Sequence, residues 1–512
     1  MATTELVNPF REGLDEARAT QPAQLVIFGA AGDLTCRKLL PAIYNLVQAE
    51  LAPSNFCIVG FARTPLSDDQ FRAALRDAVA KSSEVRERDD RVLRALAERT
   101  SYVAGDFGDA TAFSRLRTAL EANDAAFGTA GNRIFYFATP ASLFGLIVKQ
   151  LHMAGMTAGT DGTARGTIRI IVEKPFGRDL ASAKALNAEL LSYVREDQIY
   201  RIDHYLGKET VQNILAFRFA NGIFEPVWNR NYIDSVQITV AESLGIEGRG
   251  NFYEQTGVVR DILQNHMLQL LSLVAMEPPN TIDARDFRDE KIRVIEAIRP
   301  LDLERAVRGQ YGPGFVAGEP AVGYRQEQDV APDSIVPTYA ALKLCVENWR
   351  WSGVPFYLRS GKRMPKRVTE IAIAFHEVPH LPFQRAGVES VDGDVLSMRI
   401  QPDEGITLTF TAKVPGPSMR LREVAMDFSY GATFGAEDAS PYERLILDCM
   451  KGDQTLFDRA DGIEAAWALM DPLLSAWDSD RNVKFPNYDA GTWGPKDADE
   501  MIKRDGRAWR LP

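Results

Sequence analysis

Residues 24–34 read QLVIFGAAGDL, an apolar run rich in branched side chains that stops at a glycine. Such a run, apolar without alternation, suits a strand buried on both faces of a parallel sheet. Leu39, Leu40, Ile43, Leu46 and Val47 then recur at spacings of three and four, the period of an amphipathic helix. Pro41 falls inside that pattern and is expected to kink the first turns. A strand that breaks at Gly29 and Gly32 and enters a helix offers free N–H donors and a positive dipole end to a pyrophosphate. The spacing is G-x-x-G, shorter than G-x-G-x-x-G, so the strand before and the helix after carry the reading. An ordinary strand–helix turn has the same letters.

Outward from this unit the alternation continues. FCIVGFA (56–62), SYVAGD (101–106), RIFYFAT (133–139) and TIRIIVEKP (167–175) read as strands, with charged helical stretches over about 67–98. Alternating strands and helices predict a doubly wound, Rossmann-type α/β domain. MTAGTDGTARGT (156–167) reads as an exposed, mobile loop. After about residue 230 the rhythm changes. YIDSVQITVAES (232–243), TEIAIAF (369–375), DVLSMRIQP (394–402), GITLTFTAKVPG (405–416) and LREVAMDFSY (421–430) alternate apolar and polar residues, the mark of a mostly antiparallel sheet. VVRDILQNHMLQLLSLVAM (258–276) is helical, apolar on most sides and expected to be buried. The expected organisation is a loose tail over 1–22, a dinucleotide-binding domain over 23–203, and a larger α+β domain over 204–512, to which the resemblance described below assigns substrate binding and oligomerisation.

Composition narrows the function classes. The chain has 512 residues, 45% hydrophobic and 25% charged, which excludes wholesale disorder and a fibre. It contains no run of about 18 apolar residues that would cross a membrane. MATTELVNPFREGLDEARAT (1–20) lacks the apolar core of a secretory signal. With 59 basic and 70 acidic residues the net charge is −11, which disfavours nucleic acid or an anionic membrane as partner. A small anionic ligand needs only a local basic pocket. Cys36, Cys57, Cys345 and Cys449 are too few and scattered for a disulfide framework or a structural zinc site. A reducing compartment, the cytoplasm, is therefore expected, and no metal.

The candidate chemistry follows from few residues. Near the end of the second strand, where NAD-binding folds place an acid for the ribose 2′-hydroxyl, stands Arg63. A guanidinium there suits a 2′-phosphate, hence NADP with NAD as the weaker alternative; a plain surface arginine is the other reading. Lys174 in EKPFG (173–177) ends a parallel strand, where open α/β sheets bind ligands, or is a solvated lysine before a turn. Of the five histidines, His376 and His380 match H-E-x-x-H, but Pro379 and the strand-like residues before them oppose the helix a zinc site needs. In RIDHYLGKET (201–210), His204, Tyr205 and Lys208 are able to grip a phosphate, or form a polar corner that caps a helix. His266, amid apolar residues, is either a satisfied core histidine or the base of a dehydrogenase, with Asp203 the natural orienting carboxylate. Five residues of α-helix turn through about 140°, so Asp261 and His266 are not expected to share a face.

FGAAGDLTCRKLLPAIYNL, EKPFGRDL, RIDHYLGKE, NGIFEPVWNR, RDILQNHMLQLLSLVAM and PFYLRSGKRMPKR occur in this order. Together they resemble the glucose-6-phosphate dehydrogenase family, over about residues 24–490. The resemblance implies oxidation of glucose 6-phosphate at C1 to 6-phosphogluconolactone, usually with NADP, in a homodimer or homotetramer built through the sheet. It implies His266 as catalytic base and Asp203 as its carboxylate. It implies substrate binding by Lys174, His204, Tyr205, Lys208, Glu242, Asp261, Lys362 and Arg367. On the cofactor side it implies Gly29, Ala30, Ala31, Gly32, Asp33, Leu34 and Arg63, with Lys174 touching both ligands. Where the family often has Ala-Lys after G-D-L, this chain has Thr35-Cys36, and a thiol at a helix N-terminus beside a phosphate loop is expected to have a lowered pKa. Two other readings share parts of the pattern: a sugar oxidoreductase of the glucose–fructose oxidoreductase group, and a non-catalytic NADP sensor. The first has no phosphate to hold; the second has no need of both His266 and Asp203.

Overall fold

In the computed structural model, which describes residues 19, 21–157, 166–383, 391–434 and 440–512, β1 (Ala23–Phe28) is buried along its whole length. The expected tail over 1–22 lies almost wholly outside the described residues, as does most of the expected loop over 156–167. β2 (Phe56–Ala62), β3 (Thr100–Ala104), β4 (Arg133–Phe137), β5 (Ile168–Val172) and β6 (Ile199–Ile202) join β1 in one parallel sheet, ordered β6-β5-β4-β1-β2-β3. Their carboxyl ends therefore share one edge. The kink expected at Pro41 appears as a π-helical turn, Thr35–Leu39, leading into helix Leu40–Gln48. Proline lacks an N–H and its ring crowds the carbonyl four residues earlier, and a wider turn relieves both.

The second sheet holds β7 (Ile233–Ala241) and β8 (Ala306–Gly309), then, after the short β9 (Tyr311–Gly312), β10 (Gly314–Val316) and β11 (Glu319–Ala321), the long β12 (Tyr339–Cys345), β13 (Pro355–Gly361), β14 (Val368–Phe375), β15 (Val395–Gln401), β16 (Gly405–Lys413) and β17 (Leu421–Ser429). Its order is β17-β16-β15-β14-β7-β13-β12-β8, antiparallel except for β7 with β13. The five alternating stretches seen in the sequence are all strands of it.

Two features were not legible in the sequence. The stretch over 258–276 is not one regular helix: residues Val259–Met267 are π-helical and lead into α-helix Leu268–Ala275, every residue of which is buried. Its last carbonyls are satisfied by tryptophans, Trp228 Nε1 donating to Val274 and Trp351 Nε1 to Ala275, each at 2.8 Å. Second, the chain returns to the first sheet near its end. β18 (Phe457–Asp458) pairs antiparallel with β6, and helix Ala460–Ser479 packs on helices Leu180–Leu191 and Ala284–Glu296.

The glycine at the end of β1 is required by the backbone. Gly29 has φ +84°, and a Cβ there would fall 2.2 Å from the Ala138 carbonyl oxygen at the end of β4. Gly29→Ala is expected to cost about 1–3 kcal/mol of folding stability and to lower Tm. An unchanged Tm in a thermal melt would show that the turn is not held in this form.

Candidate active site

The site is built where the two sheets meet. Asp203 follows β6 directly and Lys174 lies two residues past β5, both on the carboxyl edge of the parallel sheet. From the second sheet come Glu242 after β7, Lys362 after β13 and Arg367 before β14. These three converge because of register: Gly361 lies opposite Ala241, and Ala241 opposite Val368. Between the sheets runs the π-helical segment, which supplies Asp261 and His266.

His266 Nδ1 lies 2.5 Å from Asp203 Oδ1, with both residues at most 2% exposed. Its Nε2 lies 2.8 Å from Lys174 Nζ, which also donates to the Asp261 carbonyl at 3.0 Å. An acceptor at Nδ1 and an ammonium at Nε2 fix the neutral tautomer with its proton on Nδ1. The expectation that Asp261 and His266 diverge is corrected here. In a π-helix the hydrogen bonds run from i to i+5, which brings residues five apart into line. Both side chains therefore meet Lys174.

Burial pushes the His266 imidazole below its ordinary pKa and Lys174 adds to this, while Asp203 and Asp261 pull the other way. Burial would raise Asp203, but His266 and His204 hold it well below the usual carboxylate range. His204, edge-on to His266 at 4.5 Å, is pushed well down, first by burial and then by His266 and Lys174. It therefore adds a hydrogen-bonding group to the pocket and no positive charge. Beside it, Tyr136 donates to Glu173 at 2.5 Å, and burial pushes the Glu173 carboxyl up to about 7.

The Tyr205 ring stacks on His266 at 4.4 Å, and Lys208 Nζ stands over its other neighbourhood, 4.4 Å from the ring centre. Lys208 and Arg367 both donate to Gln401 Oε1, the latter at 3.2 Å. Two cations, Lys208 from the start of helix Glu209–Phe219 and Arg367 from before β14, thus sit at one point. Gln401 was missed by sequence reasoning, since a glutamine at a strand end carries no signal. Lys362 is ion-paired to Glu242 and lies 4.0 Å from Asp261 Oδ2. Together Lys174, His204, Lys208, Glu242, Lys362 and Arg367 line a cavity of about 700 Å³. A second cavity of about 1190 Å³ shares Lys174 with it and runs past Thr139 and Pro140 at the end of β4.

Gly29, Ala30, Ala31, Gly32, Asp33, Leu34 and Arg63 do not line the cavity around His266. They stand at the carboxyl ends of β1 and β2, on the same sheet edge as Lys174 and Asp203. Phe61 O accepts from Gly29 N at 2.8 Å and from Ala30 N at 3.3 Å, so the exposed Arg63, two residues on, flanks the glycine turn. HEVPH (376–380) follows β14 without helical structure, as the sequence indicates.

Comparison with known proteins places this geometry. Residues 26–213 match the family model for the glucose-6-phosphate dehydrogenase NAD binding domain, and residues 215–510 that for its C-terminal domain. The chain is 47% identical over 494 residues to a glucose-6-phosphate 1-dehydrogenase of Chlamydia muridarum, covering 96% of this chain and 97% of that one. Its fold is similar to a solved glucose-6-phosphate dehydrogenase in complex with its substrate glucose 6-phosphate, with TM-score 0.88, 33% identity and coverage of 97% and 100%. It is also similar to a glucose-6-phosphate 1-dehydrogenase structure from Mycobacterium avium, with TM-score 0.80, 38% identity and coverage of 96% and 99%.

Cys36 departs from expectation. It is half-buried, and burial together with the neighbouring Asp33 pushes its thiol up, not down. It is a poor thiolate at neutral pH. Cys36→Ser is expected to leave the enzyme's sensitivity to peroxide unchanged; a variant that resists peroxide where the parent is inactivated would show that the thiol is reactive after all.

Proposed function

Because the chain belongs to the glucose-6-phosphate dehydrogenase family, we infer that it oxidises glucose 6-phosphate at C1 to 6-phosphogluconolactone with NADP, the entry step of the pentose phosphate pathway. The observation that carries the reading is the neutral His266, backed by Asp203 at 2.5 Å, opening onto a pocket where Lys208 and Arg367 meet.

His266 Nε2 removes the C1 hydroxyl proton, and Asp203 stabilises the imidazolium that forms. Lys174, hydrogen-bonded to Nε2 at 2.8 Å, marks the place the reacting hydroxyl takes and keeps the site positive as the proton arrives. Lys208, Arg367, Tyr205 and the neutral His204 hold the phosphate. Glu242, Asp261 and Lys362 order the sugar hydroxyls, and binding at the remote phosphate fixes the orientation of C1. NADP, when bound, accepts the hydride. The turn at Gly29 fits a dinucleotide, since a side chain there would strike Ala138 and the backbone N–H groups of the following residues stand at a helix start. Arg63 would pair with the 2′-phosphate, making NAD the weaker substrate. A homodimer or homotetramer formed through the second sheet is supported by the exposed face of β17, where Met426 is 62% exposed. No helix among the described residues is long and apolar enough to cross a membrane, and the four unpaired cysteines support a cytoplasmic setting.

Initial rates of nicotinamide reduction test the reading, with glucose 6-phosphate and free glucose, each with NADP and with NAD. Turnover of the phosphate ester alone is expected, with NADP preferred and Arg63→Ala raising KM for NADP. Equal turnover of free glucose would sink it. Asp203→Asn is expected to lower kcat by about 10³-fold or more with little change in KM. The base must be unprotonated, so kcat/KM is lost as pH falls through the His266 pKa; since that pKa is depressed, the free enzyme should keep kcat/KM below pH ~6.5. A fall beginning above neutrality would contradict the assignment of His266.

A further inference from the structure

One side chain of the π-helical segment is bonded to the main chain at both ends of the interval that separates Asp261 from His266. Asn265 Nδ2 donates to the Arg260 carbonyl at 3.0 Å, and Asn265 Oδ1 accepts from the His266 N–H at 2.7 Å. The two contacts demand different atoms. A carbonyl needs a donor and an N–H needs an acceptor, so only one orientation of the amide serves both. Asn265 is half-buried and lines neither cavity, so its contacts are with the backbone that carries the site and not with a ligand.

The carbonyl that Asn265 holds belongs to a laced set. The next carbonyl, that of Asp261, accepts from Lys174 Nζ at 3.0 Å. In the opposite direction, Arg260 Nε donates at 2.9 Å to the carbonyl of Arg178, four residues past Lys174, and its guanidinium reaches Asp478 at 3.3 Å. Lys174 and Arg260 thus tie the segment to the loop after β5, and Asn265 ties Arg260 to the residue that bears the imidazole. The backbone before the segment does not enforce its register, because Gly257 has φ +61° and ψ 176° and no continuous helix enters from that side. A π-turn has poorer hydrogen-bond geometry than an α-turn and persists where side chains take up main-chain groups of the ladder.

We propose that Asn265 is a positioning residue for the oxidation: its amide holds the π-helical register in which Asp261 and His266, five residues apart, both meet Lys174. The inference rests on the reading of His266 as the base and of Asp261 as a carboxylate that orders the sugar. Without the amide the segment relaxes toward α-helical spacing. Residues five apart then diverge by about 140°, and the two groups no longer serve one sugar.

Steady-state kinetics with glucose 6-phosphate and NADP test this in the wild type, Asn265→Ala, Asp261→Asn and the double variant. Asn265→Ala is expected to lose about 10- to 100-fold in kcat/KM for glucose 6-phosphate. The cycle separates positioning from plain stability. Asp261→Asn is expected to raise KM for glucose 6-phosphate in the wild type. In the Asn265→Ala background it is expected to change KM by less than about twofold, because Asp261 has already left the sugar. A purely structural asparagine would give additive effects instead. A folded Asn265→Ala with wild-type kcat/KM, or an additive cycle, overturns the proposal. Asn265→Asp keeps the acceptor for His266 but sets an oxygen against the Arg260 carbonyl, and is expected to show the same loss. If Asn265→Ala does not fold, as circular dichroism would show, the near-isosteric Asn265→Asp takes its place in the cycle and decides. Normal wild-type turnover with silent variants rejects this inference alone; no wild-type turnover rejects the functional reading and this role with it.

Discussion

The hydrogen bond from His266 Nδ1 to Asp203 Oδ1 ties together parts of the molecule that have little else in common. One partner ends a strand of the parallel sheet; the other sits on an apolar helix beneath the antiparallel one. Both are withdrawn from water, so neither is tolerable alone: a buried carboxylate needs a donor, and a buried imidazole N–H needs an acceptor. The pair thus couples the docking of the two halves to the assembly of the base. It also sets the sign of the electrostatics. With Asp203 held ionised and His266 neutral, the free lone pair lies at Nε2, the nitrogen beside Lys174, as the proposed role of base requires.

Given that anchor, the remaining groups are placed by backbone geometry more than by side-chain choice. The π-helical turns over Val259–Met267 let one short segment present Asp261 and His266 to the same lysine, which an α-helix of the same sequence would not do. Register across β13, β7 and β14 brings Lys362, Glu242 and Arg367 to one end of the second sheet although they are up to 125 residues apart. Irregularity of this kind is costly in a helix built for packing alone. Here the next helix, Leu268–Ala275, is buried throughout and capped by two tryptophans, which anchors the irregular segment from its far end.

How much of this the sequence carried depends on whether the signal was local. The strands β1 to β5 and the alternating strands of the second sheet were legible because burial on one or two faces writes itself into consecutive residues. The candidate site residues were legible as clusters, RIDHYLGKE above all, and the resemblance of the motifs then suggested a role for each. What failed was non-local or geometric. The π-helical segment has no letter pattern distinct from an α-helix. β18 is two residues long and gains its meaning only from pairing with a strand some 250 residues earlier. Gln401 is a lone amide whose importance lies in receiving both Lys208 and Arg367. Cys36 was misjudged because proximity to a helix start was weighed without the burial and the Asp33 charge that outweigh it.

The arrangement of charges around the cavity explains why so acidic a protein can hold a site for an anion. Around the cavity, cations and carboxylates are interleaved so that charges are partly answered: Lys362 by Glu242 and Asp261, and Lys174 by Asp261. Where Lys208 and Arg367 meet, two cations donate to one neutral oxygen, that of the Gln401 amide. These cations gather beside Tyr205, whose ring stacks on His266. In the proposed reading an anionic group on the substrate is drawn to that point, while the reacting carbon is left at the neutral imidazole. Net charge over the whole chain is irrelevant to this. Within the pocket, where screening by water is reduced, it is the order of the charges along the cavity wall that decides which end of the ligand goes where.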